Sequence, residues 1–300
     1  MRQPVKLAAI LGIGVLAMSS ASILIRWALA DGAPPLVIAA YRLVTASIAL
    51  AVPAIRQQAW KDYTRLGVRL IAMLTLSGTL LCLHFATWVT SLAHTSVVSS
   101  VVLVTTTPLW IGLAAPIVLR ERTPRLTWVG ILLAIAGGTV IGLTEGGGAS
   151  GSAGWGNLLA LLGAIFGAGY LMIGRGVRER LPLVSYLWWV YGTAAVLLVG
   201  LSLLSGLPLT GYLPATVAYM VALGLLPQLV GHSAANYALR QLSASFVAVV
   251  ILGEPVGSTL LAILLLGEWP KPLQVVGGVL TLAGIALASL AENHPREHLA

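Results

Sequence analysis

The sequence predicts an all-α integral membrane protein whose ten transmembrane helices form two inverted five-helix repeats. Three observations predict it. Apolar runs near 20 residues recur along the chain, the loops between them alternate in charge, and the chain resembles itself at an offset of 147 residues. Composition sets the frame. Of 300 residues, 58% are hydrophobic and 9% charged, whereas a soluble chain carries roughly 25% charged residues. So few charges cannot cover a water-facing surface, and the natural solvent is a bilayer.

Each span has its own boundary signals. The first, 6–30, follows Arg2 and Lys6. It is longer than a signal-peptide core of about 7–15 residues, and the repeat needs it, so Ala28-Leu29-Ala30 is not read as a cleavage site. Asp31-Gly32-Ala33-Pro34-Pro35 turns the chain into the second span, 34–54. A basic connection (Arg56, Lys61, Arg65, Arg69) leads to the third, 68–90, and the fourth is 95–118. Arg120, Arg122 and Arg125 precede the fifth, 125–143. A Gly/Ser-rich linker from Glu145 to Gly154 separates it from the sixth, 155–174. Arg175, Arg178 and Arg180 precede the seventh, 183–204; the eighth, 212–238, ends before Arg240. The ninth and tenth are 243–266 and 271–291, with Lys271 between them and Arg296 beyond. Alternate connections thus hold fourteen of the seventeen basic residues, and the positive-inside rule puts both termini in the cytoplasm.

Shifting the chain by 147 brings Pro35-Leu36-Val37 onto Pro182-Leu183-Val184, Leu92 onto Leu239 and Ser96 onto Ser243. Pro108 falls on Pro255, Glu121 on Glu268, and Gly130 and Gly137 on Gly277 and Gly284. The units are 1–147 and 148–300. Five spans per unit is an odd number, so the second enters the membrane upside down. Such inverted repeats build a mid-membrane site that can face either side.

The net charge of +8 reflects loop topology; no basic groove or stacking motif points to nucleic acid. A lone cysteine, Cys82, excludes an internal disulfide framework and a cysteine metal cluster. No metal-binding or nucleotide motif occurs, so neither a metal, a cofactor nor ATP hydrolysis is expected. A serine intramembrane protease needs a nucleophile elbow that is missing. An aspartyl type needs two buried acids, and Asp31 and Asp62 lie in connections. A channel favours a continuous polar ring, which the spans lack.

The motifs also carry a resemblance. The first half contains Ala93-His94-Thr95-Ser96, Pro108-Leu109, Leu119-Arg120-Glu121-Arg122, Gly130 and Gly137; the second contains Leu242-Ser243-Ala244, Glu254-Pro255, Leu265-Leu266-Gly267-Glu268, Gly277 and Gly284. In these features the chain resembles the ten-helix, EamA-type members of the drug/metabolite transporter superfamily, over nearly its whole length. Arg120 departs from the pattern, standing where the second half has Gly267. The resemblance implies export of amino acids or other small metabolites across the bacterial inner membrane. Within the superfamily it is nearest the aromatic amino-acid exporters; a different metabolite or a drug-like cation is the alternative cargo. A monomer is expected to suffice.

Proline-interrupted spans at matching positions point to the transport site. Pro108 and Pro255 each remove a helical hydrogen bond, to Val104 and Ile251, and either free carbonyls for a ligand or kink the helix for packing. Polar stripes run along the same spans: Ser96, Ser100 and Thr107 on the fourth; Ser243, Glu254 and Ser258 on the ninth; Ser77, His84, Trp88 and Ser91 on the third; Gln228, His232 and Asn236 on the eighth; Ser19, Ser22 and Arg26 on the first. Any one hydroxyl can simply bond its own helix. Glu254 is an acid deep in a span, suited to a substrate ammonium or a coupled proton. A structural bond beside the kink is the other reading, and the resemblance favours it, since an acid before this proline is common there. His84 and His232 are candidates for a substrate carboxylate or for interhelical bonding. Trp88 and Tyr170 are candidates to line an apolar pocket. Arg26 and Arg42 are read as snorkelling to the outer interface, with binding of an anion as the alternative. Trp60, Trp155 and Trp269 read as interface anchors, and Tyr186, Trp188, Trp189 and Tyr191 as facing lipid. The pairs Gly163/Gly167, Gly138/Gly142 and Gly253/Gly257 have spacing for close helix approach.

Overall fold

The computed structural model describes residues 2–95, 100, 103–144, 153–266 and 269–292. Ser96, Gly267, Glu268, Arg296 and most of the Glu145 to Gly154 linker lie outside the described residues, as does the side chain of Ser22. The described residues are helical, with no strand among them.

The helices run in order as α1 Arg2–Ser19, α2 Ala21–Ala30, α3 Pro35–Arg56, α4 Trp60–Tyr63, α5 Val68–Ser91, α6 Thr107–Val118 and α7 Arg125–Thr144. They continue as α8 Ala153–Arg178, α9 Leu183–Leu204 and α10 Pro214–Leu223; a π-helical stretch, Gly224–His232; then α11 Ser233–Ala238, α12 Ala244–Ile251, α13 Glu254–Leu266 and α14 Pro272–Glu292. Among the described residues eight helical segments are long and apolar enough to cross a membrane, joined by two shorter apolar helices at Thr107–Val118 and Arg125–Ile141. The protein is a multi-pass membrane protein.

The ends follow local chemistry. Gly32, at φ +84°, closes α2: its N–H bonds Leu29 and the next N–H, of Ala33, bonds Ala28. An L side chain is disfavoured at that backbone angle. Pro35 then starts α3 at the position where a missing N–H costs nothing.

The helices pair in a reciprocal pattern. α5 packs on α8 in one place and α1 on the π-helical stretch in another; α6 packs on α8 and α1 on α13. α3 pairs with α9, and α7 with α14. The last pair meets backbone to backbone. A Cβ added at Gly137 would lie 2.5 Å from the Gly277 carbonyl oxygen, and one at Gly130 would lie 2.6 Å from that of Gly284. The partner of Gly137 is thus the 147-offset counterpart of Gly130, and the partner of Gly130 is that of Gly137. Between them Thr281 Oγ1 donates to the carbonyl of Ala134, 147 residues away, at 3.5 Å. Without side chains in the way, the two backbones gain the close contact that holds membrane helices together.

Three expectations need correction. Tyr186 and Tyr191 do not face lipid: both are fully buried. Tyr186 shares a 2.8 Å hydrogen bond with Ser77, and Tyr191 donates to the Gln228 carbonyl at 3.4 Å. A buried phenol needs such a partner, and α5 and the π-helical stretch supply one each to the inner face of α9. Arg42 does not snorkel. It is 3% exposed, because its Nε bonds Gln228 instead. Gly138 has nothing within 4 Å of its Cβ position, so the helix approach in α7 runs through Gly130 and Gly137. Trp60, Trp155 and Trp269 are exposed, as anchors require.

Candidate functional site

Two spans break where the prolines stand. The chain turns at Thr105 and Thr106 before α6, and at Leu252 and Gly253 before α13. Pro108 and Pro255 occupy the second position of the helix that follows. There a proline lacks only a donor that has no helical partner anyway. In the first break the Val104 carbonyl accepts from Thr107 Oγ1 at 2.9 Å, and the same hydroxyl reaches the Ala164 carbonyl of α8 at 3.3 Å. Thr107 thus supplies one donor to the Val104 carbonyl, which Pro108 leaves without its helical one. In the second break Ser19 Oγ donates to the Glu254 carbonyl at 3.0 Å, and Ser258 Oγ to the Ser19 carbonyl at 2.9 Å. These bonds clamp the end of α1 to the start of α13.

A cavity of about 300 Å³ lies against both breaks. Thr107 and Glu254, related by the 147-residue offset, both line it, as do Pro108 and Pro255. His84 and Trp88 enter from α5, Tyr170 from α8 and His232 from the π-helical stretch. Most of its surface is apolar, supplied by residues such as Met18, Ile25, Leu171 and Ile251. It reaches Arg26 and Leu29 at the end of the first span and Leu92 after the third, the ends opposite the basic connections. On the basic side Arg175 ties three segments together. It pairs with Glu121 at 2.8 Å and with Glu179 at 3.0 Å, and donates to the Leu239 carbonyl at 3.0 Å.

Glycines seat the aromatic wall. A Cβ at Gly167 would meet His84 Nδ1 at 2.9 Å, and one at Gly163 would meet the Trp88 Cβ at 3.2 Å. The Gly163/Gly167 pair in α8 therefore serves close approach, as its spacing suggested. His84 Nδ1 lies 2.8 Å from the Gly163 carbonyl. A carbonyl only accepts, so Nδ1 carries the proton and Nε2 is left for other partners. The His84 ring stacks on Trp88 with centroids 5.9 Å apart, and Phe85 meets His232 edge-on at 5.6 Å.

Two of the anticipated site residues stand behind the wall. Ser100 is buried and bonded to Ser91 at 2.6 Å. Asn236 is buried; its amide donates to the Tyr170 hydroxyl and, at 2.7 Å, to the His232 carbonyl. It orients two lining residues without lining the cavity itself. Arg42 is the residue whose favoured sequence reading, snorkelling, misplaced it: it lines the cavity, with its guanidinium carbon 4.2 Å from the Phe85 ring centroid. Its partner Gln228 lies within the π-helical stretch, a geometry that recurs at functional sites. A proline in the span, Pro227, was the available sequence signal.

Comparison with known proteins adds a family. The model of the EamA-like transporter family matches the chain twice, at residues 6–143 and 154–290. The chain belongs to the EamA-like transporter family. This transporter is similar to a probable terminal-alkyne amino-acid exporter of Streptantibioticus cattleyicolor, with 30% identity over 257 residues, 82% of this chain and 81% of that protein. It also resembles the uncharacterized inner membrane transporter YedA of Escherichia coli K12, at 30% identity over 78% of this chain and 75% of the relative. An uncharacterized transporter of Archaeoglobus fulgidus is 24% identical over 75% of this chain and 76% of its own. A protein of known crystal structure superposes with a TM-score of 0.78 at 18% identity, covering 96% of this chain and 99% of that one; the likeness is one of fold. All the named cavity residues fall within the two family matches. Family membership makes this EamA-like chain a transporter, not an enzyme.

Proposed function

We propose that this EamA-like transporter exports neutral and aromatic amino acids, or closely related zwitterionic metabolites, from the cytoplasm by alternating access. The observation that carries the reading is the cavity beside two broken helices, apolar over most of its wall and furnished with Glu254, His84, His232 and the Trp88 indole. Its volume of about 300 Å³ is at the small end of ligand pockets. Such a wall suits a ligand with an apolar side chain and charged ends. In this reading Trp88 and Tyr170 receive the side chain, while Glu254 takes the ammonium group. His84, Thr107 and His232 complete the polar contacts, with Ser100 and Asn236 supporting them from behind. The amino-acid exporter of S. cattleyicolor supports the substrate class.

The two units, 1–147 and 148–300, act as inverted repeats of five spans each. The reciprocal pairing of Gly130 with Gly284 and Gly137 with Gly277 supports a pseudo-two-fold axis through α7 and α14. Motion at the Pro108 and Pro255 breaks opens one side while the other closes. The Arg175 staple suits the closed state of the basic side. Both termini face the cytoplasm of a bacterial inner membrane, and one chain holds the whole path. The test is uptake of radiolabelled L-phenylalanine and L-leucine into proteoliposomes of the purified chain. Saturable flux is expected, reduced at least tenfold in Glu254→Gln. Folded protein without saturable flux of any amino acid sinks the substrate class, and full activity in Glu254→Gln and His84→Ala removes those residues from the site.

A further inference from the structure

The residues in and directly behind the cavity wall have an imbalance of hydrogen-bonding groups. Among the described residues four buried side-chain nitrogen or oxygen atoms lack a partner. Three are donors, Arg42 Nη1, Gln228 Nε2 and Trp88 Nε1, and one is an acceptor, Asn236 Oδ1. The donors are clustered. Arg42 Nε donates to Gln228 Oε1 at 2.8 Å, and Arg42 and Trp88 line the same cavity. Phe85 lies beneath the guanidinium at 4.2 Å and packs edge-on against His232. The ion pairs found among the described residues are those of Arg175. Arg42 and Glu254 therefore share a cavity without pairing with each other.

A buried guanidinium with an unmet N–H is costly, and here two further unmet donors accompany it. The group that relieves this must be anionic, rich in acceptors and small enough for the cavity. A carboxylate meets all three conditions, since its two oxygens accept several N–H groups in the plane that a guanidinium offers. We propose that Arg42, positioned by Gln228 and Phe85, is a carboxylate subsite of the transport cavity, and that Glu254 receives the cationic end of the same ligand from another wall. This rests on the reading of the cavity as the transport site. It adds what that reading lacks, a reason for the protein to prefer zwitterions over amines of the same shape.

The test is equilibrium dialysis of radiolabelled phenylpropanoate against detergent-purified full-length protein, with phenylpropanamide as the uncharged counterpart. Wild type is expected to bind the acid roughly 10- to 100-fold more tightly than the amide, the range for a charge-assisted hydrogen bond. Arg42→Gln is expected to abolish that preference, and Arg42→Lys to retain part of it. Gln228→Glu keeps the buried cation but gives it an internal carboxylate, so acid binding is expected to fall at least tenfold there too. That variant decides the matter if Arg42→Gln fails to fold. Equal binding of acid and amide by wild type, no binding of either, or an undiminished preference in a folded variant overturns the proposal. If the preference depends on Arg42 but the liposomes carry no amino acid, the carboxylate subsite stands and the amino-acid reading falls.

Discussion

Replacing Gly137 by alanine tests the contact between α7 and α14. The new Cβ would lie 2.5 Å from the Gly277 carbonyl oxygen and 2.5 Å from both the backbone nitrogen and the hydroxyl of Thr281. Ordinary contact begins at 3.4 Å, so the helices must part by about 0.9 Å. Two of the three atoms are backbone, and no side-chain rotation relieves them. Overpacking of this kind costs about 1–3 kcal/mol. Alanine also gains about 0.5–1 kcal/mol over glycine from backbone entropy. The control is the neighbour, Gly138→Ala, where nothing lies within 4 Å. Both variants share the entropy gain, so the difference between them isolates the contact. Gly138→Ala is expected to be neutral or slightly stabilised, and Gly137→Ala to fall about 1–3 kcal/mol below it. Gly277→Ala, 2.6 Å from the Gly137 carbonyl oxygen, is expected to match Gly137→Ala. The assay is reversible unfolding in mixed micelles titrated with SDS, followed by circular dichroism. Equal midpoints for Gly137→Ala and Gly138→Ala would refute the helix pairing, and with it the support for a two-fold axis.

Three further outcomes are expected. Gly167→Ala puts a Cβ 2.9 Å from His84 Nδ1, displaces the ring from the Gly163 carbonyl, and lowers amino-acid uptake several-fold with little change in the unfolding midpoint. Thr107→Val strips the Val104 carbonyl of the side-chain donor seen in this structure and costs about 1–3 kcal/mol in the same titration. Glu121→Gln removes the charge paired with Arg175; a cysteine placed at Ala238 in a Cys82→Ala background then reacts faster with a thiol reagent applied to the basic side.

Eight long spans were legible because a bilayer demands long apolar runs, and Pro108 and Pro255 marked the two breaks because a proline fits the first turn of a new helix, where its missing N–H has no partner. Tyr170, Trp88 and Glu254 were legible as candidates because large or charged groups deep in a span need a reason to be there. Arg42 was not. Its nearness to a span end suggested snorkelling, and its partner Gln228 lies 186 residues away, brought beside it only when α3 meets the π-helical stretch. That stretch packs closely because Gly224 and Gly231 have no side chains: a Cβ would meet Thr45 Cβ at 2.5 Å and Met18 Cγ at 2.4 Å. No local periodicity announces such a contact. Serines were ambiguous for the opposite reason. Ser91 and Ser100 satisfy each other, and spacing alone does not distinguish a hydroxyl bonded within the bundle from one facing a ligand. Asn236 sat on the right face but one layer too deep, where it holds Tyr170.

The central claim is that a zwitterionic amino acid crosses by a carrier cycle through the cavity between the two halves. Counterflow tests it most directly. Proteoliposomes preloaded with unlabelled L-phenylalanine are diluted into a trace of the labelled form. A carrier is expected to give a transient overshoot of internal label that fades as the gradients dissipate. A monotonic rise to equilibrium, or no protein-dependent entry at all, would contradict the account.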